Sequence, residues 1–87
     1  MRSPITIERR RINPNDAITY NNRGVARRKL GDNKGAIVDY NETLRINPNY
    51  VLAYDNRGNS RRALGDNKGA LADYNEAVRI SPNFALA

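Results

Sequence analysis

The 87-residue chain carries 15 Lys and Arg against 9 Asp and Glu, giving a net charge of +6, and it contains no His and no Cys. Without imidazole or thiol groups it lacks the usual general base near neutral pH, the commonest metal ligands and any disulfide, so we expect no enzyme, no metal site and no cofactor. No segment approaches the ~20 apolar residues of a membrane span, and the N-terminus has no apolar signal core, which makes the cytoplasm the default location.

A 34-residue period organises the chain. GDNKGA at 31–36 returns at 65–70, and INPN at 12–15 returns as INPN at 46–49 and as ISPN at 80–83. With this shift, residues 17–50 (the first unit) match residues 51–84 (the second unit) at 21 of 34 positions. The period predicts stacked supersecondary units, preceded by a flank over 1–16 that is the remnant of an earlier second helix and followed by the stub of a third unit over 85–87.

Each unit is predicted to contain two helices, near 16–30 and 34–46 in the first and near 50–64 and 68–80 in the second. Tyr20, Gly24 and Leu30 share one face of the first helix. Across the antiparallel pair we expect Gly24 to face Ala36 and Tyr20 to lie opposite Tyr40. A Gly inside a helix costs roughly 1 kcal/mol relative to Ala, so its recurrence at position 58 indicates a packing requirement.

The GDNKGA segment is predicted to be the joint between the two helices of a unit. Gly31 suits a helix end that needs positive φ, and Asp32 is placed to cap the next helix. Pro48 stops the second helix, and Asn49 is expected to cap the third. A phosphate-binding loop is disfavoured, because the spacing of Gly and Lys is wrong and no hydroxyl residue follows the Lys.

These residues resemble the tetratricopeptide repeat family in its bacterial-type form, whose signature has aromatic, Gly, Ala, aromatic and Pro residues at fixed positions. The matching positions are Tyr20, Gly24, Ala36, Tyr40 and Pro48 in the first unit and Tyr54, Gly58, Ala70, Tyr74 and Pro82 in the second. The resemblance implies an all-α solenoid of antiparallel helical hairpins in a right-handed stack. It comprises two full repeats with partial repeats at both ends, and it acts as a non-catalytic protein-interaction scaffold.

The chain departs from the family pattern at Arg23 and Arg57, where Leu is usual, and at Arg27 and Arg61, where Tyr is usual. Asn also replaces the large residue that often opens the second helix, at positions 33 and 67. We expect the Arg stems to pack on the hairpins while the guanidinium groups reach nearby carboxylates. The candidate partners are Asp39, Asp73, Glu42 and Glu76.

The resemblance places the ligand on the concave face that the first helices form. The predicted peptide-binding residues are Asn21, Asn22, Val25, Arg28, Lys29, Asp55, Asn56, Asn59 and Arg62. Amide side chains can pair with a peptide backbone, and the cations favour an acidic or carboxylate-bearing peptide. Val25 and Asp55 break the pattern of a terminal-carboxylate clamp. A merely solvated polar face remains the alternative.

Two other partner classes remain open. The uncapped hairpin faces allow the chain to self-associate end to end as a homo-oligomer, or to be a fragment of a longer array. The basic runs at 27–29 and 61–62, extended by Arg9, Arg10 and Arg11, form a stripe suited to nucleic acid. Stacking aromatic residues are absent from that stripe, which disfavours nucleic acid relative to protein.

Overall fold

The computed structural model describes residues 16–83, which form four α-helices and, within that range, no strand. The helices are α1 (Ala17–Lys29), α2 (Asn33–Ile46), α3 (Val51–Ala63) and α4 (Asn67–Ile80). All four predicted helices are confirmed, and their ends lie within one residue of those expected. The predicted remnant of an earlier helix over 1–15, the Arg9–Arg11 extension of the basic stripe and the stub at 85–87 lie outside the described residues.

The joints within the two hairpins have the same backbone conformation. Gly31 and Gly65 both adopt φ of +88°, a value that a residue with a side chain rarely takes. In the first joint the N–H of Asp32 donates to the carbonyl of Arg27 at 2.8 Å, which satisfies a carbonyl at the end of α1. The prediction that GDNKGA reverses the chain between two helices is confirmed.

The carboxylates at the joints cap the second helices, as predicted. Asp32 accepts a hydrogen bond from the backbone N–H of Gly35, and Asp66 accepts one from Gly69, both at 2.9 Å. A methyl group added to Gly35 would lie 2.7 Å from the carboxyl carbon of Asp32. A Cβ at the second Gly of the motif would therefore crowd the capping carboxylate, which would have to shift.

The cap predicted for α3 was wrong. Tyr50, which offers no side-chain hydrogen bond to the helix, occupies the N-cap position. Asn49 instead donates its backbone N–H to the side-chain oxygen of Asn47 at 3.1 Å. The side chain of Asn47 thus closes a turn around Pro48, and α3 begins one residue later than a cap at Asn49 would require.

The interior of each hairpin is built from a Gly and a Tyr. A Cβ on Gly24 would lie 2.5 Å from Cε1 of Tyr40, so this ring is the closest neighbour of the glycine. The facing of Gly24 and Ala36 remains a prediction. Gly58 meets the ring of Tyr74 in the same way. Leu30, predicted on the packed face, is 86% exposed because it lies at the C-cap of α1, beyond the hairpin contact.

The two hairpins stack through α2 and α3, with a further contact between α1 and α3. Ala53 and Ser60 on α3 are fully buried. Thr19 and Ala26, the residues 34 positions earlier on α1, are exposed. The same helix face is therefore covered in the second unit and open in the first, because the first hairpin covers α3.

Candidate peptide-binding face

A buried carboxylate fixes the first helix of the first unit, α1, to the second helix of the same unit, α2. Asp39 on α2 is almost fully buried and accepts two hydrogen bonds from Arg23, at 3.0 and 2.8 Å. Arg27 lies 3.5 Å from the same carboxylate. A buried carboxylate is costly unless it is paired and hydrogen-bonded, and the bidentate Arg supplies both conditions.

The second unit repeats this arrangement and extends it. Arg57 donates to both oxygens of Asp73, at 3.0 and 2.7 Å, and Arg61 pairs with the same carboxylate at 3.0 Å. Arg57 also donates to the side-chain oxygen of Asn41, on α2 of the preceding unit, at 2.8 Å. Arg57, which stands where the family usually has Leu, thus holds the two helices of its own hairpin together. It also connects this hairpin to the preceding one.

The predicted partnership of these arginines with carboxylates is confirmed for Asp39 and Asp73 and wrong for the two glutamates. Glu42 pairs with Arg45, and Glu76 pairs with Arg79, each three residues further along the same helix. Residues three apart are neighbours on a helix surface, so these pairs form locally. They lower the pKa of both glutamates, with the hydrogen bond from the Arg as the main cause.

Seven of the nine residues predicted to bind peptide fall into two groups, and Val25 and Asp55, both partly buried, belong to neither. Asn21 and Asn56 meet each other: the amide nitrogen of Asn56 donates to the side-chain oxygen of Asn21 at 3.2 Å. Asn21 is only 4% exposed, so its amide joins α1 to α3 and offers a ligand little surface. Asn22 and Lys29 are exposed on α1. Their role in binding remains a prediction.

The second group lines a cleft. Arg28 on α1 and Arg62 on α3 lie on its walls together with Asn59, in a volume of about 500 Å³. Asn33 at the start of α2 and Ala63 at the end of α3 complete the lining. Three predicted residues from two units therefore meet in one place, near the joint ends of the hairpins.

Arg28 and Arg62 are unlike the arginines beside them in sequence. Arg27 and Arg61 pair with buried carboxylates, whereas within residues 16–83 neither Arg28 nor Arg62 forms a salt bridge. The Nε–H of Arg28 is buried without a hydrogen-bond partner, a condition that costs about 1–3 kcal/mol. The cleft thus holds two guanidinium groups that form no salt bridge within the described residues.

The two buried tyrosines differ in how their hydroxyls are satisfied. The hydroxyl of Tyr74 donates to the side-chain oxygen of Asn59 at 2.5 Å. Val25 occupies the equivalent position in the first unit and cannot accept, so the hydroxyl of Tyr40 is buried without a partner. Burial raises the pKa of the Tyr40 phenol, and the nearby Arg28 guanidinium opposes that rise in part.

Sequence reasoning missed the place of Asn33 in the cleft. Asn33, which replaces the large residue that often opens the second helix in the family, lines the cleft together with Arg28 and Arg62. The signal in the sequence is the departure from the family pattern at position 33, beside the joint.

None of the helices within residues 16–83 is long and apolar enough to cross a membrane. In the same part of the chain, no three acidic, His or Cys side chains gather in a way that could hold a metal ion.

Comparison with known proteins gives two family matches and a set of similar folds. A family described as "Tetratricopeptide repeat" matches residues 17–50, and one described as "TPR repeat" matches residues 58–87. No curated protein matches the sequence. Among solved structures, a crystal structure of MamA superposes with a TM-score of 0.79 at 24% identity, covering 87% of this chain and 44% of that one. A second, of MamA protein, superposes at 0.76 with 24% identity and covers 86% of this chain and 41% of that one.

Proposed function

Because the chain belongs to the tetratricopeptide repeat family, and is thereby a protein-interaction scaffold, we propose that its ligand is an acidic or carboxylate-bearing peptide. The peptide lies on the face formed by α1 and α3, and no catalysis accompanies its binding. The chain spans less than half the length of the two MamA chains that it resembles, so the proposal concerns these two units alone.

One observation carries the proposal: Arg28 and Arg62 project from successive first helices into a single cleft beside the Asn59 amide. Charged groups at an interface speed encounter and select partners of opposite sign. The amides of Asn22 and Asn56 lie along the same helices and can pair with the peptide backbone. A ligand that spans both first helices would therefore meet cations at one end and amides along its length.

A direct test uses two labelled peptides, hexaglutamate and hexaglutamine, with binding followed by fluorescence anisotropy. The full chain is expected to bind hexaglutamate and to bind hexaglutamine much more weakly. The double variant Arg28→Glu/Arg62→Glu should lose hexaglutamate binding while keeping its helical circular dichroism. Unchanged affinity in this variant would overturn the proposal.

The matched control is Lys34→Glu/Lys68→Glu, which changes net charge by the same amount at two exposed positions outside the cleft. This variant should keep most of its affinity. An equal loss in both double variants would mean that net charge alone attracts the peptide. Mixed-sequence oligonucleotides in the same assay address the nucleic-acid alternative, which predicts tight binding that falls steeply with salt.

A second function, end-to-end self-association, is favoured by a difference in exposure between residues at equivalent positions of the two units. Leu44 on α2 is 9% exposed beneath α3, whereas Val78, its equivalent on α4, is 42% exposed. A second copy that places its α1 against α4 would cover Val78 as α3 covers Leu44. The internal junction of the two hairpins is the template for such a contact.

Sedimentation at increasing concentration tests self-association. Association should be weakened by Val78→Lys and unaffected by Val38→Lys, which places the same charge at an exposed position of α2. A wild-type chain that stays monomeric at the highest concentration would remove this second function.

A further inference from the structure

The joint of each hairpin presents an exposed leucine. Leu30 is 86% exposed, more than any other large hydrophobic residue within residues 16–83, and its equivalent Leu64 is 46% exposed. Each occupies the C-cap of a first helix, directly before a Gly with positive φ, so it lies in a tight turn. Apolar surface held in water is unfavourable, and contact with an apolar medium would remove that cost.

The two leucines lie along one edge of the molecule. The cleft between the units is lined by residues next to both joints, among them Asn33 from the first joint and Ala63 from the second. The joints are therefore neighbours in the stack. Because stacked repeats place equivalent residues side by side, Leu30 and Leu64 stand at the same end of their hairpins.

The lysines of the chain gather on this edge. The sequence contains three, and all three are exposed beside the joints. Lys29 precedes Leu30, and Lys34 and Lys68 occupy equivalent places in the first turns of α2 and α4. Within residues 16–83 none of the three forms a salt bridge. We name this surface the joint edge; its residues are Lys29, Leu30, Lys34, Leu64 and Lys68.

The carboxylates near the joint edge are already engaged. Asp32 and Asp66 accept hydrogen bonds from the backbone N–H groups of Gly35 and Gly69, each at 2.9 Å. The partial positive charge of the helix N-terminus further compensates a carboxylate in this position. The lysines therefore give the joint edge a positive potential.

The opposite end of the hairpins has the apolar residues without the lysines. Ile18 and Leu52, also at equivalent positions, are 60% and 49% exposed near the starts of α1 and α3. The cations in the last turns of α2 and α4, Arg45 and Arg79, are each paired with a glutamate. Of the two ends, within residues 16–83, the joint edge alone combines exposed leucines with lysines outside salt bridges.

Leucines that enter the acyl boundary and lysines that meet headgroup phosphates are the two components of peripheral binding to an anionic bilayer. Nucleic acid would use the lysines but leave the leucines in water. A bilayer surface also accepts separate apolar side chains without a pocket matched to each. We propose that the joint edge docks the chain on an anionic lipid bilayer, with Leu30 and Leu64 in its interfacial region. A contact of this kind requires no spanning helix.

Flotation of the full chain with vesicles tests the proposal. Vesicles of phosphatidylcholine and phosphatidylglycerol in equal parts should carry the chain upward, whereas phosphatidylcholine alone should not. Leu30→Asn/Leu64→Asn should lower the partition coefficient by about tenfold or more. The matched control Ile18→Asn/Leu52→Asn, at the opposite end, should leave it unchanged. Absence of flotation with the mixed vesicles, or equal losses in the two double variants, would overturn the proposal.

A second pair of variants tests the lysines. Lys34→Gln/Lys68→Gln should lower partition into the mixed vesicles by about thirtyfold, because each cation near an anionic surface strengthens binding about fivefold. Arg45→Gln/Arg79→Gln removes the same charge at the opposite end and should weaken partition much less. An equal effect would mean that net charge alone attracts the chain to the lipid, and the joint edge would lose its role.

The orientation of the bound chain provides an independent measurement. With a paramagnetic headgroup lipid in the mixed vesicles, backbone NMR signals of Gly31 and Gly65 should broaden more than those of Ala17 and Val51. Uniform broadening, or the reverse order, would contradict docking through the joints.

The inference does not rest on the peptide proposal. Leu30→Asn/Leu64→Asn should bind hexaglutamate as the wild type does, because neither leucine lines the cleft. If hexaglutamate binds but the vesicles do not, docking on lipid is wrong and the peptide proposal stands. If the vesicles bind and hexaglutamate does not, the peptide proposal is wrong and docking on lipid stands.

Discussion

The two units share 21 of 34 residues, yet the same ion pair lies in different surroundings in each. Arg23 in the first unit is 54% exposed, whereas Arg57 in the second is 17% exposed because α2 of the first unit covers it through Asn41. Both arginines hold a buried carboxylate in the same bidentate way. The contrast teaches that a repeat encodes a contact whose exposure to solvent depends on whether a neighbouring unit lies beside it.

The largest expected effect comes from removing the buried carboxylate of each unit. Asp73→Asn should lower the free energy of unfolding by about 3 kcal/mol or more, since it leaves a covered guanidinium without its counter-ion. Asp39→Asn should cost about 1–2 kcal/mol, because water can reach Arg23. Urea unfolding followed by circular dichroism measures both. Equal losses would show that covering by the neighbouring hairpin has no energetic consequence.

The next comparison adds a methyl group at the hairpin glycines. Gly24→Ala forces a contact with the fully buried Tyr40, whereas the Tyr74 ring that faces Gly58 is only half-buried and can move aside. Ala favours the helix more than Gly does, which offsets part of the cost of each contact. We therefore expect the free energy of unfolding to fall by about 2 kcal/mol for Gly24→Ala and by about 1 kcal/mol or less for Gly58→Ala. Thermal unfolding checks the order. A larger loss for Gly58→Ala would mean that Tyr74 is the more rigid ring.

Removing the tyrosine hydroxyls is expected to change the free energy of unfolding by a smaller amount, and in opposite directions in the two units. Tyr40→Phe removes a buried hydroxyl that has no partner and should be neutral or slightly stabilising. Tyr74→Phe breaks the hydrogen bond to Asn59 and should cost about 1 kcal/mol. Urea unfolding of the two variants at neutral pH makes the comparison. Destabilisation of similar size in both would show that Tyr40 has a partner after all.

The smallest effect concerns alkaline pH and the first unit alone. Because burial raises the pKa of Tyr40 above its unfolded value, the folded chain binds this proton more tightly than the unfolded chain. Its contribution to stability is fully present below pH ~10, the ordinary Tyr pKa, and falls as pH rises toward the folded pKa. Tyr40→Phe should therefore flatten the loss of stability above pH ~10. An unchanged slope would remove Tyr40 as its source.

Features that recur in both units could be predicted from the sequence. The period predicts the joints, with the roles of Gly31 and Asp32 in them, and it singles out the unusual arginines. Their buried partner Asp39 was among the candidates because it recurs as Asp73. These are contacts within one hairpin, where spacing along two adjacent helices constrains which side chains can meet.

Contacts between units were not predictable in the same way. The Asn41–Arg57 and Asn21–Asn56 hydrogen bonds join residues of different hairpins, and their formation depends on how closely the hairpins stack. The cleft has the same origin, since Arg28 and Arg62 were both predicted to bind peptide but their convergence depends on the stacking distance. The role of Asn33 in its lining depends on that distance as well.

The hydrogen bond between Asn41 and Arg57 has a consequence for the addition of a further repeat to such a chain. Asn75, the equivalent of Asn41, is exposed on α4, and every complete unit carries an Arg at the matching place. Tandem duplication of residues 51–84 would therefore set a new Arg beside Asn75 without any further substitution. Each complete unit thus carries both partners of the hydrogen bond that joins the two hairpins.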